Sequence, residues 1–281
     1  MSLTITSGKA SALAAAGTSD NPIFAIANFA SGAVITSNRG VSADGDLVNA
    51  TTGSTYDAWR PATSAGAGNI DFNVDMGAVK SVDFVGVVGA NVYSLSGVTV
   101  EVWTSADGVS YGGAPIATIT PTSYAADAAW FVAVSNRYMR VRLANVPALA
   151  QAIVPCIFIG KAFQSPRRTY QGYSPIITPT EVDLQSNVSA GGHYLGSAVV
   201  RRGSTFGMEL QNLSPTFTRG AEWTGFQTAF NEGKPAFTAW RPTTYPQDLH
   251  YIWRDGAPIR PTNSGPLDYM SIGIEARVFE R

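Results

Sequence analysis

Imidazole chemistry has two candidates in this chain, His193 and His250, and neither sits in a motif that supplies a partner. His193 lies in Ser189-Ala-Gly-Gly-His-Tyr-Leu-Gly196, a glycine-rich loop without the Gly-x-Gly-x-x-Gly order that brings a helix N-terminus onto a phosphate. His250 alternates with Leu249, Tyr251 and Trp253 as a strand residue would, so a hydrogen-bonded strand histidine is the expectation. No Gly-x-Ser-x-Gly elbow accompanies either. Cys156, the sole cysteine, stands in Val-Pro-Cys-Ile-Phe-Ile and reads as a small buried hydrophobe, with no disulfide framework or cysteine metal site. Asp44-Gly-Asp46 lacks the longer run of oxygen ligands and the terminal Glu of an EF-hand loop. No catalytic, cofactor-binding or metal-ligating residue is assigned, and the chain reads as a non-enzyme without a cofactor. Paired carboxylates that cleave glycosides must face each other across a cleft, which spacing alone does not reveal.

Aromatic residues are the better lead, because exposed Tyr and Trp stack on sugar rings while their polar tips bond hydroxyls. Tyr93, Tyr124 and Trp130 fall near loops or strand ends and are the candidate contacts for a glycan or a partner, with core or interface packing as the alternative for each. Arg167 and Arg168 are the candidate assembly contact, a pair able to grip an acidic neighbour, against the plainer reading of solvated linker charges.

The elements that must position these residues are mainly strands. From 69 to 111 the chain alternates and is punctuated at Gly77-Ala78, Gly89-Ala90-Asn91 and Asp107-Gly108. No amphipathic helix of a dozen residues precedes residue 140, so residues 21–163 read as a β-sandwich. Residues 1–20, small and polar, read as a flexible arm, and 164–180, with three prolines, as a linker. Residues 181–281 read as a smaller α+β domain of antiparallel strands with one packed helix. That helix carries Trp223, Phe226 and Phe230 on one face and ends at a left-handed Gly233.

Composition narrows the class. Charged residues are 14% against 45% hydrophobic, so a monomer has little charge with which to cover its surface, and burial against other subunits is expected. Fifteen of the 19 basic residues are Arg, the type favoured at interfaces. A net charge of -1 argues against nucleic acid. The apolar run in Ser11-Ala-Leu-Ala-Ala-Ala-Gly17 is too short for a secretion signal, and no stretch approaches 18 apolar residues, so no membrane span is expected.

The strand ending in Asp75-Met-Gly77, the following Val79-Lys-Ser-Val-Asp-Phe84, and an aromatic-bearing strand closed by Ser105-Ala-Asp-Gly108 together resemble the discoidin or galactose-binding-like jelly roll. Trp59 in Tyr56-Asp-Ala-Trp-Arg-Pro61 and the run Arg137-Tyr-Met-Arg-Val-Arg-Leu143 extend that resemblance to about residues 20–163. It places Trp59 in the core and implies that a structural cation often accompanies the fold. With Gly191-Gly-His-Tyr-Leu-Gly196, Glu222-Trp-Thr-Gly-Phe-Gln-Thr-Ala-Phe230, Ala239-Trp-Arg-Pro242 and Met270-Ser-Ile-Gly-Ile-Glu-Ala276, the whole resembles minor tail proteins of siphophages and prophages. That resemblance implies a virion structural protein of a tail tip or baseplate, made in the host cytoplasm and built into a symmetric homo-oligomer. Its partners would be tube, hub or fibre proteins, with a host surface glycan as a further contact. The alternatives are a carbohydrate-binding adhesin or module and, third, a glycan-cleaving enzyme.

Overall fold

The computed structural model describes residues 2–280 except 44, 63–66, 149, 170, 177–180 and 265–267. In chain order the strands are β1 (Ser2–Ile5), β2 (Ile23–Ala25), β3 (Val34–Ser37), β4 (Gly68–Val88), β5 (Thr99–Ser105), β6 (Ala117–Ile119), β7 (Ala126–Val146) and β8 (Cys156–Gly160). They continue with β9 (Phe163–Gln164), β10 (Glu181–Val188), β11 (Tyr194–Leu213), β12 (Ala236–Ala239), β13 (Leu249–Trp253), β14 (Thr262–Asn263) and β15 (Met270–Val278). Among the described residues three α-helices, α1 (Ser7–Ala15), α2 (Pro215–Thr218) and α3 (Ala221–Asn231), complete a mainly β protein of two sheets.

The first sheet folds over on itself. β4 and β7 are each 21 residues long, and their pairing shifts register between Asp75 and Lys80, at Gly77 with φ 74°. Gly77-Ala78, expected to end a strand, is therefore a corner within one: a residue that tolerates positive φ lets the strand bend without stopping. Before the corner β4 pairs β3, and the matching half of β7 pairs β5, which carries β6; this is the outer layer. Beyond it the other halves pair β8 and, in parallel, β1, and this is the middle layer. Ile70, Phe72, Val141 and Leu143 of the outer layer meet Val85, Val87, Phe131 and Ile157 of the middle layer, with Trp59 fully buried among them, edge-on to Phe72 at 4.7 Å. That is the expected sandwich, with Trp59 in its core.

The second sheet runs β10-β11-β15-β13-β12-β2-β9 and packs on the back of the middle layer. Alternation decides this: Phe84, Val88, Trp130, Cys156 and Phe158 point away from the sandwich core and meet Ile23, Ala25, Phe237, Leu249 and Tyr251. Residues 82–88 are consequently buried throughout, the pattern of a strand covered on both faces. The tip of the Phe237 ring abuts Gly86, where a Cβ would come within 2.4 Å of it. On the far face Phe206, Met208, Ile272 and Ile274 meet Trp223, Phe226 and Phe230 of α3, and Gly233 with φ 88° follows its last turn, as the spacing predicts.

Two expectations change. Residues 1–20 do not form a flexible arm: β1 adds to the edge of β7, and Leu3 and Leu13 are buried between the sheets. Backbone pairing and two leucines anchor a segment whose composition looked too small to pack. Lys9 of α1 also reaches buried Asp83 at 3.1 Å and covers the Trp130 ring at 4.3 Å. Residues 164–180 are not simply a linker between self-contained units, because β9 occupies 163–164 and β2, early in the chain, is a strand of the second sheet. The part of that linker at 170 and 177–180 lies outside the described residues.

Candidate functional site

The outer face of the first layer collects the side chains that alternate away from its core. From β4 come Asp71, Asn73 and Asp75; from β7, Tyr138, Arg140 and Arg142; from β5, Glu101, Trp103 and Ser105. The register sets them in rows: Asp71–Arg142–Glu101, Asn73–Arg140–Trp103 and Asp75–Tyr138–Ser105. Arg142 donates twice to Asp71, through Nε at 2.6 Å and Nη2 at 3.1 Å. Arg140 donates through Nε to the Asn73 side-chain oxygen at 2.6 Å and lies 3.5 Å from Asp71. Arg137, at the corner, donates to both oxygens of Asp75 at 2.6 and 2.7 Å, and this pairing holds the Asp75 carboxyl below its ordinary range. The Trp103 indole N–H donates to Glu101 at 3.0 Å.

A turn brings one more ring over this face. Asp107 accepts from the N–H groups of Ser110 and Val109, both at 2.9 Å, and from the Ser105 hydroxyl at 2.8 Å; the Ser110 bond leads in lowering its pKa to about 2. Gly108 at φ 77° passes so close to Tyr138 that a Cβ would lie 3.0 Å from the ring. The chain then folds back and stacks Tyr111 on the Arg140 guanidinium at 3.7 Å, while Arg142 lies 5.2 Å from the Trp103 ring. Burial raises the pKa of the Tyr111 phenol. The result is a half-exposed surface of flat rings and flat guanidinium groups, with three arginines facing three carboxylates. Such a surface can stack on a ring and bond several hydroxyls at once.

Of the aromatic candidates, the structure brings two together. Tyr93 is exposed and meets Tyr124 edge-on at 6.3 Å, and Tyr124 lies 6.0 Å from Phe279. Trp130 is a correction: it is 1% exposed, on the face of β7 that meets the second sheet, and its indole N–H bonds Asp83 at 3.3 Å. A residue near a strand end is buried here because that half of β7 is covered on both sides. Arg167 and Arg168 are exposed, Arg167 lying 5.7 Å from the Tyr269 ring and Arg168 adding its charge near Asp20.

The residues with nucleophile or base chemistry are placed apart from this face. His250 is buried in β13 with Nε2 3.1 Å from the Tyr173 hydroxyl, and burial lowers its pKa to about 4. His193 is exposed at the tip of the β10–β11 hairpin. Cys156 is buried, its thiol pushed up to about 11 by burial, with the Tyr251 hydroxyl 3.8 Å away. Asp46 accepts from Val48 N–H at 3.3 Å as a cap, while Asp44 lies outside the described residues. Among the described residues no cluster of three His, Cys, Asp or Glu is arranged to hold a metal ion, and no helix is long and apolar enough to cross a membrane. A groove of about 740 Å³ runs between α3 and the sandwich, but Lys161 and Glu222 pair across it at 2.9 Å and the Asn28 side chain is occupied by backbone groups.

No known protein family and no curated protein matches the sequence. Similar solved structures include chitosan-binding module 1 of a chitosanase/glucanase from Paenibacillus sp. IK-5, at 18% identity and a TM-score of 0.41, covering 48% of this chain and 99% of the module. Module 2 of the same enzyme, in complex with chitotriose, is 14% identical with a TM-score of 0.40, covering 48% of this chain and 100% of the module. The module CpGH89CBM32-5 from Clostridium perfringens, in complex with GalNAc-β-1,3-galactose, is 11% identical with a TM-score of 0.41 and the same coverages. These three are sugar-binding modules and none is a tail protein. Likeness at this level carries no functional argument, which must rest on the side chains themselves.

Proposed function

We propose that this protein binds carbohydrate without cleaving it, through the outer face that carries Trp103, Tyr111, Arg140 and Arg142. The observation behind this reading is the stack of Tyr111 on Arg140 beside Trp103, with Asp71, Asn73 and Glu101 in the adjoining rows. The rings offer a sugar its C–H face, and guanidinium and carboxylate groups that are already fixed by one another offer hydroxyls a set of oriented donors and acceptors. Hydrolysis needs a carboxyl free to give or take a proton at the scissile oxygen. Here Asp71 and Asp75 are engaged by arginine and Glu101 by the Trp103 indole, an arrangement suited to recognition.

Binding to immobilised neutral and amino-sugar oligosaccharides, followed by calorimetry on the best ligand, tests the reading. Trp103→Ala and Arg140→Met should each weaken binding by about tenfold or more, since one stacking or charge-assisted contact is worth roughly 1–3 kcal/mol. A protein that binds no member of the panel, or variants that bind as the parent does, would remove this face from consideration.

A second reading, a structural subunit of a phage tail tip or baseplate located in the virion, is favoured by one feature. The β10–β11 hairpin stands off the body with apolar side chains exposed, as an assembly contact would. Phage particles assembled without this protein should then lack a complete tail end by electron microscopy, and complete infectious tails would dismiss the tail role.

A further inference from the structure

β10 is the last strand of the second sheet and, among the described residues, pairs only with β11. The hairpin begins where β11 leaves β15: Ser204 to Leu213 pair with β15, whereas Tyr194 to Gly203 pair with β10 alone. Eight residues of strand make an arm of roughly 27 Å. Along it Leu184, Val188, Tyr194, Leu195, Val199 and Val200 are each between 45% and 67% exposed. Between Asp183 and Arg201 the only titratable side chains are His193 and Tyr194. Monomeric proteins protect a free edge with charges, prolines or a covering loop. This edge has neither a charge nor a proline from Leu184 to Val188.

We propose that the hairpin is a self-association arm, in which the free edge of β10 pairs antiparallel with β10 of a second copy across a two-fold axis near Gln185 and Ser186. Three observations select a second copy. An antiparallel strand pair about a two-fold axis is self-complementary, so one edge supplies both sets of backbone donors and acceptors and the sheet continues across two subunits. The charges permit it: the stretch from Leu184 to Val188 that meets itself across the axis is uncharged, while Glu181, paired with Arg277, and Asp183 lie at the far end of β10 and stay apart in the antiparallel pair. Apolar side chains fit as well, since Leu184 and Val188 of β10, 55% and 61% exposed, meet their counterparts across the seam. The inference depends on neither functional reading above.

Sedimentation of the full chain at tens of micromolar should give a mass near 59 kDa, twice the 29.6 kDa of one chain. The double variant Leu184→Lys/Val199→Lys, altering a cross-strand pair exposed on one face, should sediment as a monomer with unchanged circular dichroism. Cysteine cross-linking keeps the question open to decision even if that variant misfolds. Ser186→Cys, beside the axis, should become a disulfide-linked dimer under mild oxidation, whereas Ser110→Cys on the distant Asp107 turn should not. Cys156 is buried and does not compete. A monomeric parent chain, or a dimer in which Ser186→Cys fails to cross-link, would overturn the proposal.

Discussion

Arg140 and His250 show how one residue's surroundings decide its use. Arg140 is stacked on Tyr111 and bonded to the neutral Asn73 side chain, a charge-assisted hydrogen bond worth about 2 kcal/mol, which moves the midpoint of a chain this long by only a few degrees. Arg140→Met should therefore leave the thermal midpoint within a few degrees of the parent while abolishing most sugar binding; a large loss of stability would mark the arginine rows as structural. His250 is the opposite case. Burial holds it neutral, with a pKa of about 4 against 6.5 for a free imidazole, so between those values the unfolded chain binds more protons than the folded one. Stability then falls as pH drops from about 6.5 towards 4, by up to about 3 kcal/mol. Urea unfolding at pH 7 and pH 4.5 measures this, and His250→Gln should flatten the dependence. An unchanged slope in the variant would assign the effect to other groups.

At the scale of elements, α3 and the bent strands carry the packing. Phe226 is 1% exposed and lies against Phe230 at 5.5 Å and Phe24 at 5.1 Å. Phe226→Ala should cost about 3–5 kcal/mol by chemical denaturation, as a cavity in a rigid core does. Gly86 tests the contact between the middle layer and the second sheet. Because its missing Cβ is replaced by the ring of Phe237, Gly86→Val should destabilise by about 1–3 kcal/mol or more, and pairing it with Phe237→Leu should recover part of the loss. Additive effects in that double mutant would mean that the ring does not rest on this strand.

The whole molecule is a stack of outer layer, middle layer, second sheet and helix, and the chain crosses between sheets three times. β2 and β9, from the first 164 residues, complete the second sheet, and β1 completes the middle layer. Separating residues 1–163 from 175–281 would uncover Phe84, Trp130, Phe158, Phe237 and Tyr251 together. At roughly 2 kcal/mol for each large side chain, their burial is worth about 10 kcal/mol, comparable with the net stability of a domain. Expressed apart, the two pieces should be insoluble or lack cooperative unfolding, and mixing them should restore a folded complex. Two pieces that each melt cooperatively as monomers would show the halves to be independent.

The sequence by itself determined what local chemistry sets. Alternation marked the strands, and the spacing of Trp223, Phe226 and Phe230 ahead of Gly233 marked α3. Asp107-Gly108 marked its turn, and the resemblance to a discoidin-like jelly roll, rather than local chemistry, placed Trp59 in the core. The run Arg137-Tyr-Met-Arg-Val-Arg142 already had Arg140 and Arg142 two residues apart, hence on one face, yet what they face depends on the register of strands some 70 residues away in the chain. Tertiary structure alone decided three things. Arg142 bonds Asp71, Trp130 is covered rather than exposed, and the small, polar first residues are ordered by backbone pairing with β7. The physical reason is common to all three. Periodicity states which side of a strand a residue takes, whereas burial and partnership depend on what packs against that side, and here β4 and β7 turn a corner that gives each strand two different pairs of neighbours.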